Sequence, residues 1–298
     1  MSDVTPSMQL RVRGLDKTYP GGVRALSGIE LDVGPGLFGL LGPNGAGKSS
    51  LMRTLATLQR PDAGSIHLGE TDVLADPAAL RRRLGYLPQD FGVHPGVTAR
   101  GLLDHIALMK GIVDGRERAR AVHELLERVN LTGAADRPVA EFSGGMRQRV
   151  GIAQALLGAP RLVIVDEPTA GLDPAERNRL HQLLSEISGE AIVLLSTHLV
   201  DDVASLCGDM AILAGGRIVR RGSPSAACAE LDGKLWQARV ARARQAEVTR
   251  GVRPLQVSPR LGDVVVTVVS ATRPGEAFGP KAPELEDLYH HSLHEASA

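Results

Sequence analysis

The chain has 298 residues, of which 43% are hydrophobic and 23% are charged, as in an ordinary globular protein with room for one large domain and a smaller one. Lysine plus arginine and aspartate plus glutamate each number 34, so the formal net charge is zero. Nucleic-acid binders usually carry a basic excess, and we therefore predict no nucleic-acid partner. The two cysteines, Cys207 and Cys228, have neither the spacing of a metal site nor that of a disulfide framework.

The first part of the chain predicts strands followed by a helix. Residues 8–33 alternate apolar and polar side chains around the turn YPGG, which indicates antiparallel strands. GLFGLL (36–41) is typical of a buried strand, and SSLMRTLATL (49–58) is typical of the helix that follows it. GSIHLGETDV (64–73) indicates another short strand pair.

From residue 97 to residue 145 the pattern becomes helical. Val122, Leu125, Leu126 and Val129 recur at helical spacing and form one apolar face. Further on, the runs LVIVD and AIVLLST stay apolar up to their polar ends, as in parallel strands that are covered on both faces.

The pattern weakens after GGRIVRRGSP, and Pro224 marks the predicted domain boundary. Residues 235–270 indicate short strands in a small appended unit. No apolar run reaches the roughly 20 residues that span a bilayer, and the N-terminus lacks the apolar core of a signal peptide. Any attachment to a membrane is therefore expected to run through another protein.

The stretch GPNGAGKS, Gly42 to Ser49, matches the P-loop pattern G-x-x-x-x-G-K-[ST] between a predicted strand and a predicted helix. Its backbone N–H groups and the helix N-terminus form a cradle for phosphate. Lys48 is expected to reach the β- and γ-phosphates of a nucleotide, and Ser49 is expected to bind Mg²⁺. The alternative is a glycine turn without function, which the strand–helix context disfavours.

Two acids, Asp166 and Glu167, follow the run LVIV at the carboxyl end of a predicted strand, which is the edge where doubly wound sheets bind ligands. We predict that Asp166 holds Mg²⁺ through its water shell and that Glu167 polarises the attacking water. The alternative for such a pair is a helix cap. The P-loop upstream favours the functional role.

A second phosphate-binding motif is FSGGM (142–146), where small residues precede a helical pattern. Together with the motifs above, it makes the chain resemble the ATP-binding subunits of ABC transporters over about residues 10–222. The resemblance places Tyr19 on adenine, makes Gln89 in YLPQDFG a sensor of Mg²⁺ and γ-phosphate, and makes His198 in STH the switch histidine. Alternatively, Tyr19 anchors the YPGG turn, and the other two are polar strand ends.

The same resemblance identifies FSGGM as the family signature, with Phe where Leu is usual, and Asp173 in AGLDP as the D-loop aspartate. It implies contacts to ATP from Tyr19, Gly42, Pro43, Asn44, Gly45, Ala46, Gly47, Lys48, Ser49, Ser50, Ser143, Gly144, Gly145 and Asp173. It implies roles in hydrolysis for Lys48, Gln89, Glu167 and His198, and places Ser49, Gln89 and Asp166 around Mg²⁺.

The fold that the resemblance implies is α/β, a P-loop NTPase of the ABC ATPase type with a mixed central sheet, an antiparallel β subdomain and a helical subdomain. The ATPase domain is expected at residues 1–223, with the helical subdomain at about 94–145. Residues 224–298 are expected to form a small C-terminal accessory domain of the α+β class.

In this family two nucleotide-binding subunits face each other head to tail, so the resemblance implies a second subunit whose ATP is met by Ser143, Gly144 and Gly145. This second subunit is an identical or a related chain, and we favour a homodimer. The resemblance further implies a membrane permease docked near Gln89 to Lys110, with Phe91, Val93 and Val97 as apolar anchors, and a cytoplasmic location on the inner face of the cell membrane.

Three functions compete. The signature and D-loop motifs disfavour a small-molecule kinase with a P-loop. A soluble ABC ATPase that acts on ribosomes or another macromolecule is the alternative, but such proteins usually carry tandem units or long insertions. We therefore predict an ATP-hydrolysing subunit that powers a transporter. Similarity of LPQDFGVHPGVT and PELEDLYHHSL to exporters of the drug-resistance type indicates export.

Overall fold

The computed structural model describes residues 8–89, 92, 94–169 and 172–297. The strands, numbered along the chain, are β1 (Leu10–Thr18), β2 (Arg24–Val33), β3 (Gly36–Leu41), β4 (Ala63–Leu68), β5 (Thr71–Asp72), β6 (Leu84–Leu87), β7 (Leu162–Asp166), β8 (Ile192–Thr197), β9 (Asp209–Ala214), β10 (Arg217–Gly222), β11 (Leu235–Ala241), β12 (Gln256–Arg260), β13 (Asp263–Val269) and β14 (Gly279–Pro280).

The α-helices are α1 (Lys48–Leu55), α2 (Pro77–Arg83), α3 (Ala99–Met109), α4 (Gly115–Arg128), α5 (Gly144–Leu156), α6 (Pro174–Ser188), α7 (Val200–Leu206), α8 (Pro224–Ala229), α9 (Gln245–Val248) and α10 (Leu285–Ala296). Short 3₁₀ helices cover Thr132–Ala134, Val139–Glu141 and Arg242–Arg244. Among the described residues, none of the helices combines the length and the apolarity that crossing a bilayer requires.

The central sheet has the order β10-β9-β3-β8-β7-β6, and it is parallel except for the pairing of β10 with β9. Successive side chains of β7 point to opposite faces, so that Leu162 and Ile164 belong to one buried cluster while Val163 and Val165 belong to another. Both faces are covered, which explains the continuous apolar runs and confirms the predicted parallel strands. The carboxyl ends of β3, β6, β7 and β8 therefore meet at one edge.

A separate antiparallel sheet, β2-β1-β4-β5, covers one face of the central sheet. Leu10, Val12 and Leu15 of β1 are fully buried in the cluster that also contains the core residues of α1. The strand pairs predicted in 8–33 and 64–73 are confirmed by this pairing.

The chain between β6 and β7 is largely helical, as predicted. Val122, Leu126 and Val129 at the predicted apolar face of α4 are buried, and Leu125 packs against the same cluster. Helices α3 and α4 pack against each other and against α5, which begins inside the signature motif at Gly144. That residues 94–145 form a subdomain of their own stays a prediction.

The C-terminal unit contains the sheet β12-β13-β11-β14 and the helices α8 and α10. Strands β11 and β13 were predicted, whereas the sequence did not locate α10. Leu285, Leu288 and Tyr289 of α10 are buried in the cluster that includes Val203 of α7 and core residues of β9. In addition, Arg220 of β10 is paired with Glu295 in α10, with Nη2 and Oε2 2.9 Å apart. The boundary at residue 224 stays a prediction, but packing joins the two sides of it.

We expect Leu288→Ala to lower the free energy of unfolding of the whole chain by about 2–5 kcal/mol, because Leu288 is fully buried in the shared cluster. Trp236, the single tryptophan, lies in β11 and reports on the C-terminal unit by fluorescence, while far-UV circular dichroism reports on all helices. The two denaturation curves are expected to coincide and to shift together.

Leu261→Ala is the matched control, since Leu261 is fully exposed in the turn between β12 and β13. It is expected to change the unfolding free energy by less than about 0.5 kcal/mol. A tryptophan transition that separates from the dichroism transition in Leu288→Ala would show two independently folded units instead.

Candidate nucleotide-binding and hydrolysis site

The P-loop connects the end of β3 at Leu41 to the start of α1 at Lys48. Gly47 precedes the helix with φ of 106° in the left-handed region, and a Cβ there would overlap the carbonyl oxygen of Ala25. Only glycine fits both conditions. In the described structure no side chain caps α1 and no acid lies in its first turn, so its N–H groups are available to an anion.

Lys48 is buried to 5% exposure, and its Nζ donates hydrogen bonds to the carbonyl oxygens of Gly42 at 2.6 Å and Pro43 at 3.3 Å. Burial lowers the pKa of its ammonium below the ordinary value, and the negative charges of Glu167 and Asp166 offset part of that shift. Hydrogen bonds from an ammonium to neutral carbonyl oxygens are weaker than those to phosphate oxygens. Lys48 is therefore suited to release the two carbonyls and bind phosphate in the P-loop.

Asp166, the last residue of β7, is buried to 3% exposure, and its Oδ1 has no hydrogen-bond partner within the part of the chain that the structure describes. Burial raises the pKa of Asp166, the nearby hydroxyls of Ser196 and Ser49 oppose that shift, and the charge of Glu167 adds to it. A buried carboxylate oxygen without a partner, beside the Ser49 hydroxyl, matches the hard oxygen ligands that Mg²⁺ prefers. The residues present therefore fit the ion.

Glu167 follows directly with φ of 49°, a left-handed conformation that is rare for a residue with a side chain. Its N–H donates to the carbonyl oxygen of Ser196 at 2.8 Å, which holds the turn in place. The carboxylate lies between the side chains of Lys48 and His198: Oε1 is 3.8 Å from Lys48 Nζ, and Oε2 is 3.2 Å from His198 Nδ1. The left-handed backbone of Glu167 is a strained conformation, and strained residues are concentrated at functional sites.

Tyr19 stabilises the YPGG turn through its backbone and contacts the helix after the P-loop through its hydroxyl. Its N–H donates to the carbonyl oxygen of Val23 at 2.9 Å, as in the turn-anchor alternative. Its hydroxyl lies 3.1 Å from Ser50 Oγ and donates to Gln59 Oε1 at 2.9 Å. Gln59 in turn donates to the carbonyl oxygen of Ser50 at 2.9 Å. The half-buried ring is thus fixed beside the P-loop, and no sequence motif had pointed to Gln59.

The signature residues lie at the start of α5. Ser143 caps that helix by accepting a hydrogen bond from the N–H of Met146 at 3.2 Å. A Cβ on Gly144 would meet no neighbouring atom, whereas a Cβ on Gly145 would overlap the carboxylate of Glu176. Among the described residues, no hydrogen bond or ion pair joins this motif to the P-loop of the same chain.

The remaining candidates lie at loops beside these elements. Gln89 is exposed, two residues beyond β6, which is the neighbour of β7 in the sheet. Asp173 caps α6 by accepting a hydrogen bond from the N–H of Glu176 at 2.8 Å, as an N-cap residue does. In the P-loop, Asn44 and Gly45 are exposed, and the N–H of Ala46 donates to the carbonyl oxygen of Pro43 at 3.1 Å.

The structure therefore brings Lys48, Ser49, Asp166, Glu167 and His198 together at one edge of a parallel sheet. Among the described residues, the signature motif shares no hydrogen bond or ion pair with this group. A glycine-rich phosphate cradle and a buried lysine after β3, with paired acids at the end of the parallel strand β7 and only β8 between the two strands, define the class of protein, a P-loop NTPase.

Comparisons with known proteins narrow the class. The family model of the ABC transporter matches residues 26–170. The daunorubicin/doxorubicin resistance ATP-binding protein of Streptomyces peucetius is 38% identical over 220 residues, which are 73% of this chain and 66% of that protein. The daunorubicin resistance ATP-binding protein DrrA2 of Streptomyces coeruleorubidus is 35% identical over 283 residues, 94% of this chain and 81% of its own length.

Among solved structures, a dimeric ATP-binding cassette in a post-hydrolysis state with bound ADP and Pi matches with a TM-score of 0.67 and 25% identity, over 72% of this chain and 98% of the other. The chain belongs to the ABC transporter family, as an ATP-binding subunit with the ABC ATPase fold. These findings confirm the predicted family, its drug-resistance type and the fold. The roles of individual residues stay predictions.

Tyr19→Ala is expected to weaken ATP binding by about 5- to 100-fold, because stacking of a base on an aromatic ring contributes about 1–3 kcal/mol. Tyr19→Phe keeps the ring but loses the hydroxyl contacts to Ser50 and Gln59, and a loss of about fivefold is expected. Isothermal titration calorimetry measures both. Tripolyphosphate, which has no base, is the control ligand and should bind all three proteins alike; weaker tripolyphosphate binding by Tyr19→Ala would assign the residue to the turn alone.

Proposed function

We propose that this chain binds ATP with Mg²⁺ and hydrolyses it to ADP and phosphate in order to power a membrane transporter of the export type. The observation that carries the proposal is the convergence of a buried lysine, two acids and a histidine at one sheet edge, with Glu167 3.8 Å from Lys48 and 3.2 Å from His198. That arrangement offers a phosphate site, a cation site and a base side by side.

ATP would be held by its phosphates on the P-loop N–H groups, with Lys48 neutralising the β- and γ-phosphates. Ser49, Asp166 and Gln89 would hold Mg²⁺, which stabilises the charge that develops on the phosphate oxygens. Within the described residues no group of three or more His, Cys, Asp or Glu could hold a metal. The ion would therefore depend on phosphate oxygens for part of its coordination, as Mg²⁺ commonly does.

Glu167 would accept a proton at its carboxylate from the water whose oxygen attacks the γ-phosphorus, while the bond to the β–γ bridging oxygen breaks and ADP departs with that oxygen. His198 would orient the carboxylate through Oε2, and Lys48 would stay with the phosphates. The left-handed backbone of Glu167 supports this role, because it turns the side chain back toward Lys48 and His198.

The position of Ser143, Gly144 and Gly145 supports a second nucleotide-binding subunit, an identical copy in a homodimer. Their helix N-terminus presents N–H groups suited to phosphate, yet no hydrogen bond or ion pair among the described residues joins it to the P-loop of the same chain. The solved relative with ADP and Pi is dimeric. We infer that each signature motif serves the ATP of the partner.

A membrane permease is the further partner that we propose, docked on the helical segment. Phe91 and Val93, two of the predicted anchors, lie outside the described residues. Val97 is half-buried, and its carbonyl accepts a hydrogen bond from Val139 N–H at 2.9 Å; its role as an anchor stays a prediction. At the other end of the predicted segment, however, Met109 is 67% exposed. The docking surface on which the proposal rests is the exposed apolar patch formed by Leu108 and Met109 at the end of α3 and by Val113 in the segment before α4.

Export is favoured by the names of the relatives, which are resistance proteins for daunorubicin and doxorubicin. The permease would place the chain on the inner face of the cell membrane. Action on ribosomes, the alternative, is an outcome that the docking experiment below can detect.

Glu167→Gln is expected to lower the rate of ATP hydrolysis by at least about a hundredfold, because the amide accepts no proton from water. ATP binding should persist, since the P-loop and Lys48 are unchanged. Phosphate release gives the rate, and size-exclusion chromatography with ATP should show a longer-lived dimer than the wild type forms. Unchanged turnover would contradict the assignment of the base.

Gly144→Asp in the Glu167→Gln background is the companion variant for the dimer. Its side chain meets open space in its own chain, so the fold is retained, but its carboxylate would face the γ-phosphate of the partner. Gly145 is unsuitable because any side chain there first overlaps Glu176. We expect ATP to bind and the dimer to disappear. Loss of ATP binding by the monomer would instead place the motif at its own nucleotide.

Met109→Asp tests the docking surface. Co-expressed with the permease encoded by a neighbouring gene, the wild type should sediment with membranes, and the variant should do so about tenfold less, because a charge replaces an apolar contact. Leu261→Asp is the control, since Leu261 is exposed far along the chain in the C-terminal unit. Basal ATP hydrolysis should be equal in all three proteins. Membrane association that is unchanged in Met109→Asp, or co-purification with ribosomes, would contradict the docking proposal.

A further inference from the structure

Asp202, near the start of α7, is completely buried yet carries a carboxylate. Its Oδ2 accepts a hydrogen bond from Thr169 Oγ1 at 2.8 Å, and its Oδ1 accepts one from Arg177 Nε at 2.7 Å, with Arg177 Nη2 at 2.5 Å. His181 Nε2 also lies 2.9 Å from Oδ1, although it is not aligned for a hydrogen bond. A buried carboxylate persists only when it is paired in this way.

The partners of Asp202 come from the segments that carry the candidate site. Thr169 lies two residues after Glu167, and the N–H of Leu172 donates to its carbonyl oxygen at 3.3 Å. Arg177 belongs to the first turns of α6, and its own N–H donates to the carbonyl oxygen of Asp173, the cap of that helix, at 2.9 Å. The carboxylate of Asp202 therefore contacts both the loop that follows Glu167 and helix α6, which begins directly after Asp173.

The third segment is that of the switch histidine. His198 lies four residues before Asp202, in the turn between β8 and α7. That turn is closed by the N–H of Leu199, which donates to Thr197 Oγ1 at 3.0 Å, and by the N–H of Asp202, which donates to the carbonyl oxygen of Leu199 at 3.2 Å. A shift of α7 would therefore move His198 relative to Glu167.

We propose that Asp202 is a positioning residue for ATP hydrolysis: by binding Thr169 and Arg177 it fixes the loop of Glu167, the start of α6 and the turn of His198 in one arrangement. The proposal rests on the proposed function. Asp202 touches neither the P-loop lysine nor the Mg²⁺ candidates, so it acts through Glu167 and His198. The left-handed backbone at Glu167 requires such support, because a strained conformation persists only where its surroundings hold it.

Asp202→Ala tests the proposal, with Asp201→Ala as the matched control at the preceding residue, which is exposed. Misplacement of the base and the histidine should lower kcat by about tenfold to a hundredfold. KM for ATP and the affinity for ATP in calorimetry should change by less than about threefold, since the P-loop is untouched. Asp201→Ala should match the wild type. Equal kcat values in Asp202→Ala and the wild type would overturn the proposal.

Thr169→Val keeps the experiment decisive if Asp202→Ala fails to fold. It is nearly isosteric and removes one hydrogen bond to Asp202 while leaving the Arg177 pair. We expect kcat to fall about threefold to tenfold at unchanged KM, in line with the ordinary net contribution of a single hydrogen bond, because the Arg177 pair still holds Asp202. A melting temperature that falls while kcat stays at the wild-type value would assign the network to stability alone and overturn the proposal.

Arg177→Met with Asp202→Ala completes a double-mutant cycle on kcat. Because the two side chains act through one contact, the double variant should lose little more than the worse single variant, whereas independent roles would multiply. Glu167→Gln, measured in the same series, separates the proposed ATPase function from the positioning role of Asp202. If Glu167→Gln retains wild-type turnover, the proposed function fails; if it is inactive while Asp202→Ala is fully active, only the positioning role fails.

Discussion

The parallel hydrogen-bond ladder of β3, β8 and β7 is the constraint on which the site depends. It pairs Leu41 with Thr197 and Asp166 with Ser196, so that the carboxyl ends of three strands that are far apart in sequence lie side by side. The P-loop follows β3, His198 follows β8, and Asp166 and Glu167 stand at the end of β7. Because these strands are buried on both faces, core packing holds their carboxyl ends in place. The polar residues of the site do not have to supply that stability themselves.

The site includes two charges that its burial disfavours. Burial raises the pKa of Asp166 and lowers that of Lys48. Ionised Asp166 lowers the free energy of unfolding at pH values above its raised pKa, and this penalty disappears as the pH falls. Charged Lys48 lowers the free energy of unfolding at pH values below its lowered pKa, and this penalty disappears as the pH rises. Between the two pKa values both penalties destabilise the ligand-free fold. We propose that a nucleotide with its cation relieves both penalties, which would add to its affinity and thereby to the stability of the bound fold.

Local patterns predicted the parts of the molecule that local physics determines. The runs at 36–41, LVIVD and AIVLLST were recognisable as strands because both of their faces are buried, and the P-loop because its glycines are required by backbone geometry. The four-residue strand β6 was not predicted, since it is too short to show a period. Contacts between distant segments, such as Tyr19 with Gln59 or Asp202 with Arg177, leave no trace in a single sequence. An aspartate on a short helix is usually solvated, and only the fold shows that Asp202 is not.

The packing of α10 has a consequence for how the chain can be divided. A fragment that ended at residue 223 would retain every nucleotide motif, yet it would uncover the apolar faces of α7 and β9 that Leu285, Leu288 and Tyr289 now cover. Newly exposed apolar surface of this kind promotes self-association. The C-terminal helix thus functions as a lid on the ATPase core, and excised cassettes of this chain should include it if they are to stay dispersed.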